Sequence, residues 1–171
     1  MTMETGDMSE PIKKGETAPD FELDDHNGKP VRLSDFKGKK VLLSFHPLAW
    51  TGVCSKQMKS LEKNYAAFKE LNTVPFGVNV DSVPSKKAWA VDLGLKKTRL
   101  LSDFWPHGAV AERYGLFREK DGFSERANVL LDENGKVMFS KVYKMGELPD
   151  IDEILDLIRR KYEPPGEPSR G

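Results

Sequence analysis

One stretch sets the architecture of this chain: Val41-Leu42-Leu43-Ser44-Phe45-His46-Pro47-Leu48-Ala49-Trp50-Thr51-Gly52-Val53-Cys54. Its first five residues are almost all apolar, which predicts a buried central strand. Apolar side chains then recur at spacings of three and four, namely at Met58, Leu61, Tyr65, Phe68 and Leu71. This pattern predicts one long helix with a single buried face. The only cysteine of the chain, Cys54, lies at the start of that helix.

Strand and helix patterns alternate along the rest of the chain. A hairpin with a turn at residues 25–28 comes first, and Ser34 is predicted to cap a short helical turn that ends at Gly38. The later patterns predict strands at 74–80, 99–101, 128–131 and 137–142, and helices at 84–93, 109–114 and around 151–158. This order predicts an α/β protein with a thioredoxin-like fold, in which a central mixed β-sheet is flanked by helices and carries an N-terminal β-hairpin extension. We expect one domain over residues 15–162, between a flexible leader at 1–14 and a disordered tail at 163–171.

The bulk composition narrows the function. The 27 basic and 27 acidic residues leave no net charge, and no basic stripe is present, which argues against nucleic acid as a partner. No apolar run reaches the ~18 residues of a membrane span, and the polar start lacks the apolar core of a signal peptide. A single cysteine excludes an internal disulfide and fits a reducing compartment, so a cytoplasmic location is expected.

The position of Cys54 suits a nucleophile. The thiolate is the reactive form of cysteine, and an unperturbed thiol has a pKa of about 8.5. Lowering such a pKa to about 6 takes ~3.4 kcal/mol, whereas a helix N-terminus contributes at most ~2 kcal/mol. A reactive thiolate at the start of a helix therefore needs a nearby cation as well. Arg126 is the candidate, because an arginine that enters an apolar strand is out of place without a partner.

The spacing of Pro47, Thr51 and Cys54 resembles the Pro-x-x-x-Thr-x-x-Cys signature of the peroxiredoxins, the thiol-dependent peroxide reductases. The segment 126–135 resembles the strand of that family that begins with an arginine and ends in Asp-x-x-Gly. The segment 101–108 is similar to the one-cysteine subgroup called alkyl hydroperoxide reductase E. Together these segments make the resemblance extend over most of the chain.

The resemblance implies a role for each matching residue. Cys54 attacks the peroxide and becomes a sulfenic acid, while Arg126 lies beside the sulfur. Thr51 is expected to hydrogen-bond sulfur and peroxide together, and Pro47 to shape the loop and shield the thiolate. The backbone N–H groups of Val53 and Cys54 are further donors to the substrate.

Three residues near the motif need a separate interpretation. Gln57 stands where many family members carry a glutamate that orients an arginine, so the usual ion pair is not expected and Arg126 is less firmly held. His46 is expected to pack or hydrogen-bond rather than to act as a base. Trp50 has two alternative roles. It lines a subunit interface or the substrate entrance, or it packs in the core.

The lack of a second cysteine determines how such an enzyme turns over. The sulfenic acid must be reduced by an external thiol, either a low-molecular-weight thiol or a thioredoxin- or glutaredoxin-like protein. No cofactor is expected, and no metal-ligand spacing links the three histidines. The resemblance also implies a homodimer.

The sequence also fits other functions of the same fold. The main alternative is a non-enzymatic peroxide sensor or redox-switched chaperone, in which oxidation of Cys54 acts only as a switch. A thiol–disulfide oxidoreductase is disfavoured because Thr51 stands where Cys-x-x-Cys requires its first cysteine. A glutathione peroxidase is disfavoured because no motif like that family's surrounds Cys54.

Overall fold

The computed structural model describes residues 10–161, which contain nine strands and five α-helices. The strands are β1 (Glu22–Asp25), β2 (Pro30–Arg32), β3 (Lys40–Phe45), β4 (Thr73–Asn79), β5 (Arg99–Ser102), β6 (Phe117–Arg118), β7 (Phe123–Ser124), β8 (Arg126–Leu131) and β9 (Val137–Tyr143). The helices are α1 (Gly52–Lys63), α2 (Tyr65–Glu70), α3 (Val83–Leu93), α4 (Ala109–Arg113) and α5 (Ile151–Lys161).

Seven strands form one mixed sheet in the order β9-β8-β3-β4-β5-β1-β2. Strands β3, β4 and β5 are parallel, and the outer pairings are antiparallel. Strand β3 lies inside the sheet between β8 and β4, and all six of its residues are buried. These features confirm the predicted thioredoxin-like α/β fold, with the N-terminal hairpin β1–β2 added at one edge.

Both faces of the sheet are covered, as the apolar composition of β3 requires. Val41, Leu43 and Phe45 belong to one apolar cluster, and Leu42 belongs to a second cluster. Alternate residues of a strand point to opposite faces, so the two clusters lie on opposite sides of the sheet. The second cluster contains Cys54 and the buried apolar residues of α1, α3 and α5.

The direction of the strands brings two distant parts of the chain together. Phe45, at the carboxyl end of β3, pairs with Val78 of the parallel strand β4 and with Ala127 of the antiparallel strand β8. The start of β8 therefore lies beside the carboxyl end of β3, where the loop that follows β3 begins. Arg126 and the segment 46–54 meet at this end of the strands.

The structure differs from the sequence prediction in three local features. The predicted long helix is two helices, because Asn64 leaves the helical conformation and its side chain donates to the Ser60 carbonyl at 2.8 Å. The predicted capped turn is a 3-10 helix over Leu33–Phe36, and the Asp20 carboxylate accepts from the Ser34 backbone N–H at 2.9 Å. The hairpin β6–β7 was not predicted, since its two-residue strands are too short to show a period.

Part of the predicted leader is packed against the domain. Ile12 is buried in the core, and its N–H donates to the Tyr114 carbonyl at 3.0 Å. The remainder of the leader and the predicted tail at 163–171 lie outside the described residues. No helix within residues 10–161 has the length and apolar character needed to cross a membrane.

Candidate active site

Cys54 lies in the first turn of α1, near the carboxyl end of β3. Ser55 is the first residue whose N–H donates within the helix, to the Thr51 carbonyl at 2.9 Å. The N–H groups of Gly52, Val53 and Cys54 precede it, and the first N–H groups of a helix have no acceptor within the helix. The sulfur is thus on a residue whose surroundings attract negative charge.

Arg126 contacts the sulfur directly. Its Nη1 lies 3.2 Å from Cys54 Sγ and 2.9 Å from Gln57 Oε1, and donates to both. Its Nε and Nη2 donate to the Met145 carbonyl at 2.9 and 2.7 Å. The residue is only 4% exposed. The guanidinium is therefore held from two sides, with one N–H group directed at the thiol.

Gln57 hydrogen-bonds Arg126 at the position where many relatives carry a glutamate. Its Nε2 donates to Ser44 Oγ at 2.7 Å and to the Phe45 carbonyl at 3.1 Å, so its Oε1 faces Arg126. Gln57 is neutral, so this contact is a hydrogen bond and not the usual ion pair, and Arg126 is also held by the Met145 carbonyl. Within residues 10–161 no carboxylate forms an ion pair with Arg126, so its positive charge is left to act on the sulfur.

Thr51 bonds differently from the sequence expectation. It occupies the N-cap position of α1, but in the described part of the chain its side chain makes no capping bond. Its hydroxyl donates instead to the Leu48 carbonyl at 2.9 Å. A hydroxyl has one proton to donate, so that proton is not directed at Cys54. The lone pairs of Thr51 Oγ1 are left to accept a hydrogen bond from a substrate.

The other predicted site residues lie in the loop and first turn around Cys54. Pro47 is buried at the start of the loop, and Val53 is half-buried in α1. Trp50 is 53% exposed, so the core-packing alternative does not apply, and its indole N–H donates to Ser85 Oγ at 3.2 Å. Cys54 itself has no exposed surface. A peroxide therefore reaches the sulfur only when the residues that cover it move.

His46 is buried and neutral. Its Nδ1 donates to the Ser44 carbonyl at 3.2 Å, while Nε2 has no hydrogen-bond partner among residues 10–161. Burial, followed by the nearby charge of Lys86, holds the pKa of His46 well below its usual value. The ring lies against Trp89, with centroids 5.5 Å apart. These contacts fit a packing residue, as the sequence suggested.

Lys86 is a charged residue of this region that sequence reasoning missed. It has no exposed surface, and its Nζ donates to Asn79 Oδ1. Burial lowers the pKa of Lys86 to about 7, against the opposing effects of Asp81, Cys54 and Asp103. Nothing in the sequence marks it, because the pair Lys86-Lys87 on a helix is typical of a solvated face.

Comparison with known proteins agrees with this geometry. A model of the AhpC/TSA family matches residues 14–140. Alkyl hydroperoxide reductase E from Mycobacterium tuberculosis is 39% identical over 140 residues, which cover 81% of this chain and 91% of that protein. Thiol peroxidase from Staphylococcus saprophyticus is 34% identical over 149 residues, which cover 86% and 88%. The crystal structure of peroxidoxin BcpB from Mycobacterium tuberculosis matches with a TM-score of 0.79 and 28% identity, over 89% of this chain and 99% of that chain.

Proposed function

The chain belongs to the AhpC/TSA family and is a thiol-dependent peroxidase, and we propose that Cys54 is the residue that attacks the peroxide. The observation that supports this most strongly is the 3.2 Å contact between Arg126 Nη1 and Cys54 Sγ at the start of α1. A permanent cation and free helix N–H groups both stabilise a thiolate. We further assign hydrogen peroxide and organic hydroperoxides as the substrates.

The reaction follows from these groups. The Cys54 thiolate attacks the terminal oxygen of the peroxide, so that an S–O bond forms while the O–O bond breaks. The proton of the attacked oxygen passes to the departing oxygen, which leaves as water or an alcohol. Cys54 is thereby oxidised to a sulfenate, which takes one proton from solvent to become the sulfenic acid, and the peroxide is reduced by the same two electrons.

Each neighbouring group has a part in the transition state. Thr51 Oγ1 accepts a hydrogen bond from the peroxide O–H, because its own proton is donated to Leu48. Arg126 and the N–H of Val53 donate to the oxygens on which negative charge develops. Gln57 and Met145 hold the guanidinium in place before the substrate arrives. Little reorganisation is then needed during the reaction.

Recycling requires a thiol from outside the chain. Cys54 is the only cysteine, so its sulfenic acid has no resolving partner in the same protein. A low-molecular-weight thiol or a thioredoxin- or glutaredoxin-like protein reduces it through a mixed disulfide. A reducing compartment, the cytoplasm, supplies such thiols.

A noncovalent homodimer completes the proposal. Trp50, Phe104 and Trp105 are large aromatic side chains with at least half of their surface exposed. Trp50 bonds to Ser85 of α3, and the other two line a groove that also contains Pro84 of the same helix. Aromatic residues are enriched in protein interfaces, so we assign this face to the dimer contact.

Rapid mixing with hydrogen peroxide tests the proposal. We expect wild-type protein to be oxidised far faster than free cysteine, and Cys54→Ser to lose peroxide reduction completely. Wild-type protein whose thiol has been alkylated serves as the matched control. A wild-type rate near that of free cysteine would favour the sensor alternative. Adding candidate reductants to oxidised protein then identifies the one that restores the thiol.

A further inference from the structure

A fully buried lysine needs an explanation. Lysine is almost never completely buried, because removing its charge from water is unfavourable. Within residues 10–161 no carboxylate pairs with Lys86 within salt-bridge distance. Its observed partner is the neutral side chain of Asn79. The burial of this lysine is therefore unfavourable for stability.

A chain of hydrogen bonds leads from Lys86 to the loop that precedes Cys54. Asn79 Oδ1 accepts from Lys86 and from the Asp81 backbone N–H, the latter at 3.0 Å. Asn79 Nδ2 donates to Asp81 Oδ2 at 2.7 Å. The same carboxylate oxygen accepts from the Ala49 backbone N–H, also at 2.7 Å. Two residues after Ala49 comes Thr51, the proposed acceptor for the peroxide.

The helix that carries Lys86 supports the site at two further points. Ser85 Oγ accepts from the indole of Trp50, whose backbone has the strained, left-handed value φ = 70°. Trp89 Nε1 donates to Oγ of Ser55, the residue after Cys54, at 3.3 Å. Both sides of the Cys54 turn are therefore tied to α3, and Lys86 is the buried one of the two lysines between these anchors.

We infer that Lys86 is a positioning residue of the peroxidase site, which acts through Asn79 and Asp81 to hold the loop of Thr51 and adds a second buried positive charge behind the Cys54 thiolate. This inference rests on Cys54 being the reacting thiol. It gives the buried charge a function that offsets its unfavourable effect on stability.

The charge of Lys86 makes the reaction depend on pH. Its pKa of about 7 means that it loses its proton near neutral pH. The titratable groups whose charges interact with it are Asp81, Asp103, Cys54, His46 and His26. The two histidines have lowered pKa values because they are buried, so they are neutral above pH ~7. A fall in rate above neutral pH therefore reports on Lys86.

Two variants of Lys86 separate the charge from the hydrogen bond. Lys86→Met has similar length and no polar group, whereas Lys86→Gln keeps a donor without the charge. Lys87→Met is the matched control, since Lys87 is exposed on the same helix. The measurement is the rate constant for oxidation of Cys54 by hydrogen peroxide as a function of pH, after circular dichroism has verified folding.

We expect Lys86→Met to react about ten- to a hundredfold more slowly at neutral pH, because loss of orientation at a distance from the reacting atoms has effects of this size. We also expect the fall in rate above neutral pH to disappear in Lys86→Met and Lys86→Gln and to persist in Lys87→Met. A folded Lys86→Met with a rate within about twofold of wild type, or one that keeps the fall, overturns the inference. If Lys86→Met does not fold, Lys86→Gln decides by its pH profile alone, because it keeps a donor for Asn79: loss of the fall above neutral pH supports the inference, and a fall that persists overturns it. Peroxide reduction by Cys54→Ser would instead overturn the assignment of Cys54.

Discussion

Replacing Arg126 by methionine tests the centre of the proposed mechanism. Methionine has similar length but lacks the guanidinium, so the N–H directed at Cys54 Sγ is lost while the apolar volume is kept. A hydrogen bond to a charged group contributes about 1.5–3 kcal/mol. Because 1.36 kcal/mol corresponds to a factor of ten, the oxidation rate should fall about 10- to 150-fold.

The same substitution also affects stability. Arg126 satisfies the Met145 carbonyl and Gln57 Oε1, and both acceptors lose a donor in Arg126→Met. A buried acceptor without a partner destabilises a protein by about 1–3 kcal/mol. The variant should remain folded but unfold at a lower urea concentration than wild type.

Stopped-flow fluorescence during a single turnover with hydrogen peroxide gives the rate constant. Alkylation by iodoacetamide reports separately on the thiolate, which we expect to be less populated at neutral pH in the variant. The control is Arg118→Met, because Arg118 is a partly exposed arginine whose hydrogen bonds go to Asp121 and Glu125 and not to Cys54. A folded Arg126→Met that is oxidised within about threefold of the wild-type rate would refute the role assigned to Arg126.

Further predictions concern the groups around this contact. Thr51→Val should slow oxidation of Cys54 about ten- to a hundredfold, because it removes the acceptor for the peroxide proton. Thr51→Ser keeps that acceptor and should be nearer wild type in the same assay. Equal rates for the two variants would contradict this. Gln57→Leu leaves Arg126 without one acceptor, so it should lower the free energy of unfolding by about 1–3 kcal/mol in urea denaturation and also slow peroxide reduction; an unchanged rate would show that Met145 alone holds the guanidinium. A large excess of peroxide should convert Cys54 to sulfinic acid, since the chain holds no resolving thiol; mass spectrometry that detects only a disulfide-linked dimer would oppose this. The pKa of Lys86 is about 7 when folded and about 10.4 when unfolded, so the unfolded state binds more protons between these values and stability should rise with pH there. Lys86→Met should lack that increase in urea denaturation between about pH 7 and pH 9, and parallel curves for the two proteins would disprove the shift.

Several features of this protein are local and could be predicted from the chain alone. Examples are the apolar run of β3, the turn residues of the hairpins and the apolar spacing of α5. Each of these patterns consists of residues that are close together in the sequence. The position of Cys54 at the start of a helix is local in the same sense. The break between α1 and α2 was missed because both helices continue the same apolar spacing, and only the conformation of Asn64 separates them.

Site chemistry was predictable only where an unusual residue type marked it. An arginine at the start of an apolar strand is such a mark. A cation was also required there, because a helix N-terminus contributes less free energy than is needed to lower the pKa of the thiol to about 6. Lys86 carries no mark, since its burial results from the packing of α3 and not from its sequence neighbours. The sequence likewise does not say which acceptor the Thr51 hydroxyl uses. The three-dimensional structure shows that it is the Leu48 carbonyl.

The chain thus specified a nucleophile, its helix and the class of fold, because each follows from residue type and short-range spacing. Tertiary structure decided which groups surround the sulfur. Antiparallel pairing of β8 with β3 brings Arg126 to Cys54 across 72 residues of sequence, and the packing of α3 buries Lys86 behind the loop. Those contacts depend on the order and direction of strands in the sheet, a property of the whole chain that no local pattern contains.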